Sequence, residues 1–204
     1  MKNIKVVGFD CDGVMFDTID ANRTYYNSIL KHFGKPPMSL KQLEYVHIHT
    51  INEAISSLFT DDHGLEAALD YSNSISYIPF LKYMTIEPYL KPLLNYLKGK
   101  YKIAVATNRT DTMSCVLNEN NLDGYFDIVV TSLDVKRPKP HPDPIIKILD
   151  HFDVKPDNLI YIGDSSLDEK AAASAGVFFA AYKNSSLSAD FYINSLKEIE
   201  NILP

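Results

Sequence analysis

The stretch V-V-G-F-D-C-D-G-V-M-F-D, residues 6–17, is an apolar run that ends in two carboxylates, Asp10 and Asp12, one residue apart. Because side chains alternate between the two faces of a strand, both acids project to the same side where the strand ends. In open parallel α/β sheets, ligands bind beyond the carboxyl ends of the strands. The stretch therefore predicts a buried strand that places two acids at a binding site.

The closeness of the two acids points to a cation or to proton transfer. Two adjacent carboxylates are not both comfortably ionised unless a cation neutralises them, and enzymes separate the pKa values of such pairs. One acid can then act as a nucleophile while its neighbour carries the proton. A D-x-D pair taken alone is more often a solvated turn, so the interpretation depends on the rest of the chain.

Composition limits the class of protein. A chain of 204 residues that is 46% hydrophobic is long enough for one domain with a modest insertion. Its formal net charge of -6 argues against nucleic-acid or membrane-surface binding, which needs a basic field. It has no run of about 18 uncharged apolar residues, the length that suggests a membrane span. Two cysteines, Cys11 and Cys115, favour buried thiols in a cytoplasmic protein.

A helical block follows the first strand. Apolar residues have helical spacing over about 20–34, 51–59 and 64–80, and no strong strand is predicted between residues 18 and 85. This block is too long for an ordinary connection inside a sheet domain. We predict a core domain of residues 1–16 and 87–204, with a helical cap domain of residues 17–86 inserted in it.

Strands and helices alternate from residue 87 onward. With the first strand included, the predicted strands are residues 5–9, 102–107, 127–131, 159–162 and 177–181. Helical segments of similar length separate the last four strands, which favours a parallel, doubly wound sheet. The predicted fold class is therefore α/β, with a Rossmann-like three-layer core, a five-stranded parallel sheet and a small all-helical cap.

Polar residues suited to one reaction follow four of these strands. They are Asp10 and Asp12, then Thr107 and Asn108, then Lys139 in the loop K-R-P-K-P-H-P-D-P, then Asp164 and Asp168 in G-D-S-S-L-D. Because the carboxyl ends of parallel strands share one edge, these groups should converge. Mg²⁺ prefers oxygen ligands and is usually held by one or two carboxylates, which Asp10 and Asp164 supply. Lys139 adds a compact positive charge and Thr107 a hydroxyl donor, so the set suits a phosphate ester.

The set D-x-D-G-V-x-x-D, T-N, K-P-x-P and G-D-x-x-x-D, in this order and on these strand ends, resembles the haloacid dehalogenase (HAD) superfamily. The position of the helical block is similar to that in the subfamily that includes phosphoglycolate phosphatase and beta-phosphoglucomutase. The resemblance implies that Asp10 attacks phosphorus to form an aspartyl phosphate. It implies that Asp12 protonates the leaving group and then activates water, and that this second acid favours phosphate esters as substrates.

The same resemblance assigns the remaining candidates. Thr107 and Lys139 would hold phosphoryl oxygens, with Asn108 orienting nearby groups. Asp164 would bind Mg²⁺ with Asp10 and the main-chain carbonyl of Asp12, and Asp168 would be an orienting acid in the metal site. Arg109, beside the T-N pair, is a further candidate for substrate contact, with a surface role as the alternative. Ser166 with Glu169 fits a helix capping box, so part of the fourth motif has a structural explanation too.

These expectations combine into a Mg²⁺-dependent, phosphoglycolate phosphatase-like enzyme whose substrate is a small phosphorylated metabolite. Cap closure is expected to exclude water while the aspartyl phosphate forms. We expect a monomer or weak homodimer, without a nucleic-acid or membrane partner. Two alternatives stay open: a phosphomutase of the beta-phosphoglucomutase type, and a non-catalytic binding module that retains the fold. The substrate itself is not predicted, and phosphoglycolate is one possibility among sugar phosphates, nucleotides and pyrophosphate.

Overall fold

A computed structural model describes residues 3–60 and 62–204 of the chain. The chain divides into two compact units. An α/β unit ends at Phe16 and resumes at Ile86, and a helical unit comprises Asp17–Thr85. The strands, in chain order, are β1 (Val6–Phe9), β2 (Phe16–Asp17), β3 (Thr85–Ile86), β4 (Lys102–Ala106), β5 (Ile128–Val130), β6 (Leu159–Gly163), β7 (Phe178–Tyr182) and β8 (Phe191–Ile193).

Six of these strands form the main sheet, in the order β5-β4-β1-β6-β7-β8, and every adjacent pair is parallel. β2 and β3 pair separately as a two-stranded sheet. The central strands β1 and β6 are buried along their whole length, as expected where both faces of a parallel sheet are covered. The predicted α/β fold with a parallel sheet is confirmed.

The strand order creates a crevice at the centre of the sheet. From β1 the chain continues through β4 to β5 on one side, and then returns to β6, β7 and β8 on the other side. Ligands of open α/β sheets bind where the strand order reverses in this way, outside the carboxyl ends of the strands. The ends of β1 and β6 are therefore the favoured position for a site.

The predicted number of strands, five, is wrong by one. The additional strand β8 lies at the edge of the sheet beside β7. It has three residues, and the middle one, Tyr192, is 53% exposed. A strand this short offers no alternation of apolar and polar residues long enough to be recognised in the sequence.

The helical unit contains α1 (Ile19–His32), α2 (Leu40–Ile48), α3 (Ile51–Leu58), α4 (Asp62–Ser74) and a 3₁₀ helix (Ile78–Tyr83). Its core includes Tyr25 and Tyr26, whose rings are in edge contact with centroids 5.1 Å apart. These two tyrosines therefore serve packing. The sequence does not predict α2, which begins at a capping box between Ser39 and Gln42.

The helices of the α/β unit are α5 (Leu90–Leu97), α6 (Met113–Glu119), α7 (Asp143–Phe152), α8 (Ser166–Ala175) and α9 (Ile199–Ile202). A buried apolar cluster joins the strands to α7 and α8, for example through Val6, Ile145 and Ala171. Cys11 is buried as predicted, whereas Cys115 in α6 is partly exposed. Within the described ranges, no helix combines the length and apolar character needed to cross a membrane.

Candidate active site

The two acids of the first motif follow β1 at the carboxyl edge of the sheet. Asp10 is buried, and its N–H donates to the carbonyl of Ile162 in β6 at 2.8 Å. The turn after it depends on Gly13, which has φ of 82° and donates its N–H to the carbonyl of Phe16 at 2.8 Å. A Cβ at this position would fall on the carboxylate of Asp164. Only glycine therefore fits both the backbone conformation and the space.

Lys139 lies between two acids and a phenol. Its Nζ is 2.7 Å from Asp10 Oδ1, 2.6 Å from Asp168 Oδ1 and 2.9 Å from the hydroxyl of Tyr161. A lysine ammonium carries three N–H donors, so these contacts occupy all of them. Burial alone would lower the pKa of Lys139, but the carboxylates of Asp10 and Asp168 raise it above the ordinary lysine value. Lys139 is therefore a fixed positive charge beside the predicted nucleophile.

The T-N pair holds the lysine loop and faces the same edge. Asn108 donates from Nδ2 to the carbonyl of Lys139 at 2.8 Å and accepts from the Lys139 N–H through Oδ1 at 3.0 Å. Its amide thus holds the main chain that carries the ammonium. Thr107 is buried, and its Oγ1 accepts from the N–H of Arg109 at 3.2 Å. That contact uses a lone pair of the hydroxyl and leaves its hydrogen to donate.

The acids of the fourth motif follow β6 and begin α8. Asp168 is fully buried, and its carboxylate accepts from Lys139, from Tyr161 at 3.0 Å, and from the N–H and Oγ of Ser165 at 3.1 and 2.5 Å. Ser165 and Asp168 form the capping box of α8. The predicted box between Ser166 and Glu169 is wrong, because Ser165 has the extended backbone of an N-cap and Ser166 is already helical.

Tyr161 belongs to the cluster around Lys139, although the motifs of the sequence do not predict it. It lies in β6, is fully buried, and its hydroxyl contacts the carbonyl of Ala106 at 2.8 Å as well as Lys139 and Asp168. The single hydroxyl hydrogen can go to Ala106 or to Asp168, since Lys139 is itself a donor. The available signal was a phenol in an otherwise apolar buried strand, because buried tyrosine hydroxyls usually find a partner.

Three carboxylates could together hold a metal ion. Asp10, Asp164 and Asp168 each offer an oxygen, and these oxygens lie within 4.8 Å of one another. Burial raises the pKa of Asp10 well above its ordinary value, with Lys139 opposing the shift and Asp168 adding to it. Burial and the charge of Asp168 raise the pKa of Asp164 to about 7.

This cluster fits a divalent cation. Ionised carboxylates are costly to bury unless a counter-charge is present, and Lys139 supplies one positive charge for three acids. Mg²⁺ takes oxygen ligands of this kind. Because Lys139 and the N–H and Oγ of Ser165 already donate to the carboxylate of Asp168, Asp10 and Asp164 are the better ligands of the three. The carboxylate of Asp12 lies outside the cluster and pairs with Arg109 at 2.6 Å.

The chain thus has an α/β fold in which a buried lysine and three aspartates that could hold a cation lie at the carboxyl edge of a parallel sheet. The chain belongs to the haloacid dehalogenase-like hydrolase family, whose profile matches residues 7–182. The resemblance inferred from the four motifs is thus confirmed, and the chain is a hydrolase of that family.

Relatives and solved structures match most of the chain. Phosphoglycolate phosphatase of Nitrosospira multiformis is 29% identical over 194 residues, covering 88% of this chain and 84% of that protein. Pyrophosphatase PpaX of Bacillus cereus is 28% identical over 193 residues, covering 87% and 82%. The crystal structure of a HAD-superfamily hydrolase, subfamily IA, variant 1, from Geobacter sulfurreducens is 37% identical, has a TM-score of 0.87 and covers 98% of this chain and 97% of its own.

Proposed function

We propose that this protein is a Mg²⁺-dependent phosphatase that hydrolyses a small phosphorylated metabolite through an aspartyl phosphate. The observation that carries the proposal is the contact of the Lys139 ammonium with Asp10, 2.7 Å apart, beside the carboxylates of Asp164 and Asp168. Family membership supports it, as do relatives that are themselves named phosphoglycolate phosphatase and pyrophosphatase.

The residues have distinct roles in the proposed reaction. Asp10 attacks phosphorus as a carboxylate while Asp12 gives a proton to the leaving oxygen, so the alcohol departs and an aspartyl phosphate remains. Asp12 then takes a proton from water, whose oxygen attacks phosphorus. That attack releases phosphate and restores Asp10. Thr107 donates its hydroxyl hydrogen to a phosphoryl oxygen, and Asp168 keeps the ammonium of Lys139 beside Asp10.

Asp10 and Asp164 would hold Mg²⁺, with the main-chain carbonyl of Asp12 as a further ligand. Bound there, the cation would neutralise the phosphate dianion together with the carboxylates that hold it. We assign the helical residues 17–86 the role of a cap domain that selects the leaving group. The cytoplasmic location and the monomer or weak homodimer stay predictions.

The first experiment measures phosphate release from phosphoglycolate, pyrophosphate, sugar phosphates and nucleotides, with Mg²⁺ and with EDTA. The parent protein should release phosphate from at least one of them in Mg²⁺ only. Asp10→Asn should lower the rate by roughly 10³-fold or more, because it removes the nucleophile. Asp157→Asn is the matched control, since Asp157 is exposed and precedes β6 at the opposite edge of the sheet.

Three results would contradict the proposal. An Asp10→Asn variant that releases phosphate at the parent rate would exclude Asp10 as the nucleophile. A sugar phosphate that is isomerised without release of phosphate would identify a phosphomutase instead. Binding of phosphorylated ligands without turnover of any of them would favour the non-catalytic module.

A further inference from the structure

We infer that Arg109 is the positioning residue of Asp12, the proposed acid and base. The inference rests on the proposed phosphatase function, and it differs from the sequence-based hypothesis that Arg109 contacts the substrate. In the structure, Arg109 Nη2 donates to Asp12 Oδ1 at 2.6 Å. Hydrogen bonds in which both partners are charged are shorter and stronger than neutral ones, and this distance is short even for that class.

The two partners differ in exposure. The side chain of Arg109 is 8% exposed, whereas that of Asp12 is 38% exposed. The arginine thus reaches the carboxylate from inside the protein, and the surface role considered for it does not fit its burial. The structure gives Arg109 a bond to one oxygen of Asp12, Oδ1. Within the part of the chain that the structure describes, no hydrogen bond reaches Asp12 Oδ2, so this oxygen can exchange a proton with the substrate or with water.

The arginine is itself held at several points. Its N–H donates to Thr107 Oγ1 at 3.2 Å, and its carbonyl accepts from the N–H and Oγ of Ser132 at 3.0 and 3.2 Å. Its Nη1 donates to Thr112 Oγ1 at 3.2 Å. In an exposed ion pair, the entropy lost in ordering two long side chains offsets much of the Coulomb attraction. The contacts just described already order the guanidinium of Arg109. It can therefore fix the direction of the Asp12 carboxylate.

A second pair in the same unit provides the contrast. Arg137 Nη2 lies 2.8 Å from Asp143 Oδ1, and the Arg137 side chain is 60% exposed. Pairs of this kind contribute little because solvent screens them. Arg137→Gln thus removes the same chemical groups from a surface pair and is the matched control for Arg109→Gln.

The test uses the dependence of kcat/KM on the leaving group, measured with Mg²⁺ on 4-nitrophenyl, phenyl and benzyl phosphate. 4-Nitrophenolate is a good leaving group without a proton, whereas the benzyl alkoxide has to be protonated as it leaves. A misplaced acid should therefore slow the hydrolysis of benzyl phosphate most. We expect Arg109→Gln to lower kcat/KM roughly 100-fold for benzyl phosphate and less than about threefold for 4-nitrophenyl phosphate. Arg109→Lys, which keeps the charge without the planar fork, should recover part of the loss.

A double variant shows whether Arg109 acts through Asp12. In an Asp12→Asn background no carboxylic acid is left to position, so adding Arg109→Gln should change kcat/KM for benzyl phosphate by less than about twofold, against roughly 100-fold in the parent. Arg137→Gln should leave all three esters at the parent values. Melting temperatures of the variants identify any loss that comes from unfolding.

Two patterns would overturn the inference. If Arg109→Gln lowers kcat/KM equally for all three esters by raising KM, Arg109 binds the phosphate group instead. If Arg109→Gln lowers kcat/KM as much in the Asp12→Asn background as in the parent, Arg109 does not act through Asp12. A parent protein that hydrolyses none of the esters would instead contradict the proposed function, so the two failures are distinguishable.

Discussion

The Tyr161 hydroxyl accepts the third N–H of the Lys139 ammonium, and we expect Tyr161→Phe to damage the site. The variant keeps the ring in the core but leaves one donor of a buried cation unpaired, at a cost of about 1–3 kcal/mol. We expect kcat to fall roughly tenfold, since about 1.4 kcal/mol of lost transition-state stabilisation is a factor of ten. Phosphate-release kinetics and thermal unfolding measure the two effects separately.

Tyr182→Phe is the control for that substitution. Tyr182 is also a buried tyrosine, in the neighbouring strand β7, but its hydroxyl donates to Glu87 Oε1 at 3.2 Å and not to the lysine. We expect this variant to lose some stability and keep its kcat. Equal losses of kcat in both variants would mean that the hydroxyl of Tyr161 has no special relation to Lys139.

Which side chains converge at the site follows from the sequence, whereas their pairing does not. Asp10, Thr107, Lys139 and Asp164 are predictable because each follows an apolar strand, and parallel strands share one carboxyl edge. Asn108 makes two hydrogen bonds to the main chain of Lys139. These bonds depend on side-chain conformations, which the spacing of residues in the sequence does not reveal. For the same reason, the contacts of Arg109 emerge only from the folded structure.

The N-cap of α8 also contacts the proposed catalytic cluster, and Ser165→Ala tests whether the cap affects catalysis as well as stability. The Oγ of Ser165 donates a 2.5 Å hydrogen bond to Asp168, which in turn contacts the ammonium of Lys139. Loss of the cap should cost about 1 kcal/mol of the free energy of unfolding. We also expect kcat to fall several-fold, because Asp168 loses one of the contacts that hold its carboxylate against the ammonium of Lys139.

Ser195→Ala tests whether the effect on kcat is specific. Ser195 closes a capping box with Glu198 at the start of the 3₁₀ helix Leu196–Glu198 in the same unit. A similar loss of stability with an unchanged kcat is expected there. If denaturant unfolding and kinetics change together in both variants, the cap of α8 has no separate role in catalysis.

Helices and strands are predictable from the sequence where their apolar pattern is long. The central strands β1 and β6 are continuous apolar runs, and α7, which precedes β6, carries clear amphipathic spacing. β8 is not predictable, because three residues at a sheet edge carry little pattern. The sequence predicts the capping box of α8 one residue too late, because Ser165 and Ser166 are adjacent and each has an acid three positions after it.

At the scale of the whole molecule, every proposed catalytic residue belongs to the α/β unit. Mg²⁺ should therefore stabilise that unit by reducing the electrostatic repulsion among the carboxylates of Asp10, Asp164 and Asp168. At about 100 times its Kd, a ligand contributes about 2.7 kcal/mol, so we expect Mg²⁺ to raise the Tm by roughly 5–10 °C over the value in EDTA.

Asp164→Asn should respond to Mg²⁺ by less than about 2 °C, since it lacks one proposed ligand. In EDTA the same variant should melt above the parent, because it removes a carboxylate whose charged form burial disfavours, as its pKa of about 7 reflects. Asp157→Asn should keep the full shift with Mg²⁺. An identical shift in all three proteins would place the cation elsewhere.

The turn at Gly13 has a consequence for how the sequence can vary. The Asp164 carboxylate occupies the volume that any side chain at Gly13 would need, and a side chain at Gly163 would similarly fall on Asp168. Because neither glycine has a side chain, the side chains of Asp164 and Asp168 have space at these positions. In a saturation library selected for activity, codons 13 and 163 should tolerate no replacement, even alanine, whereas the codon of the exposed Asp157 should accept many.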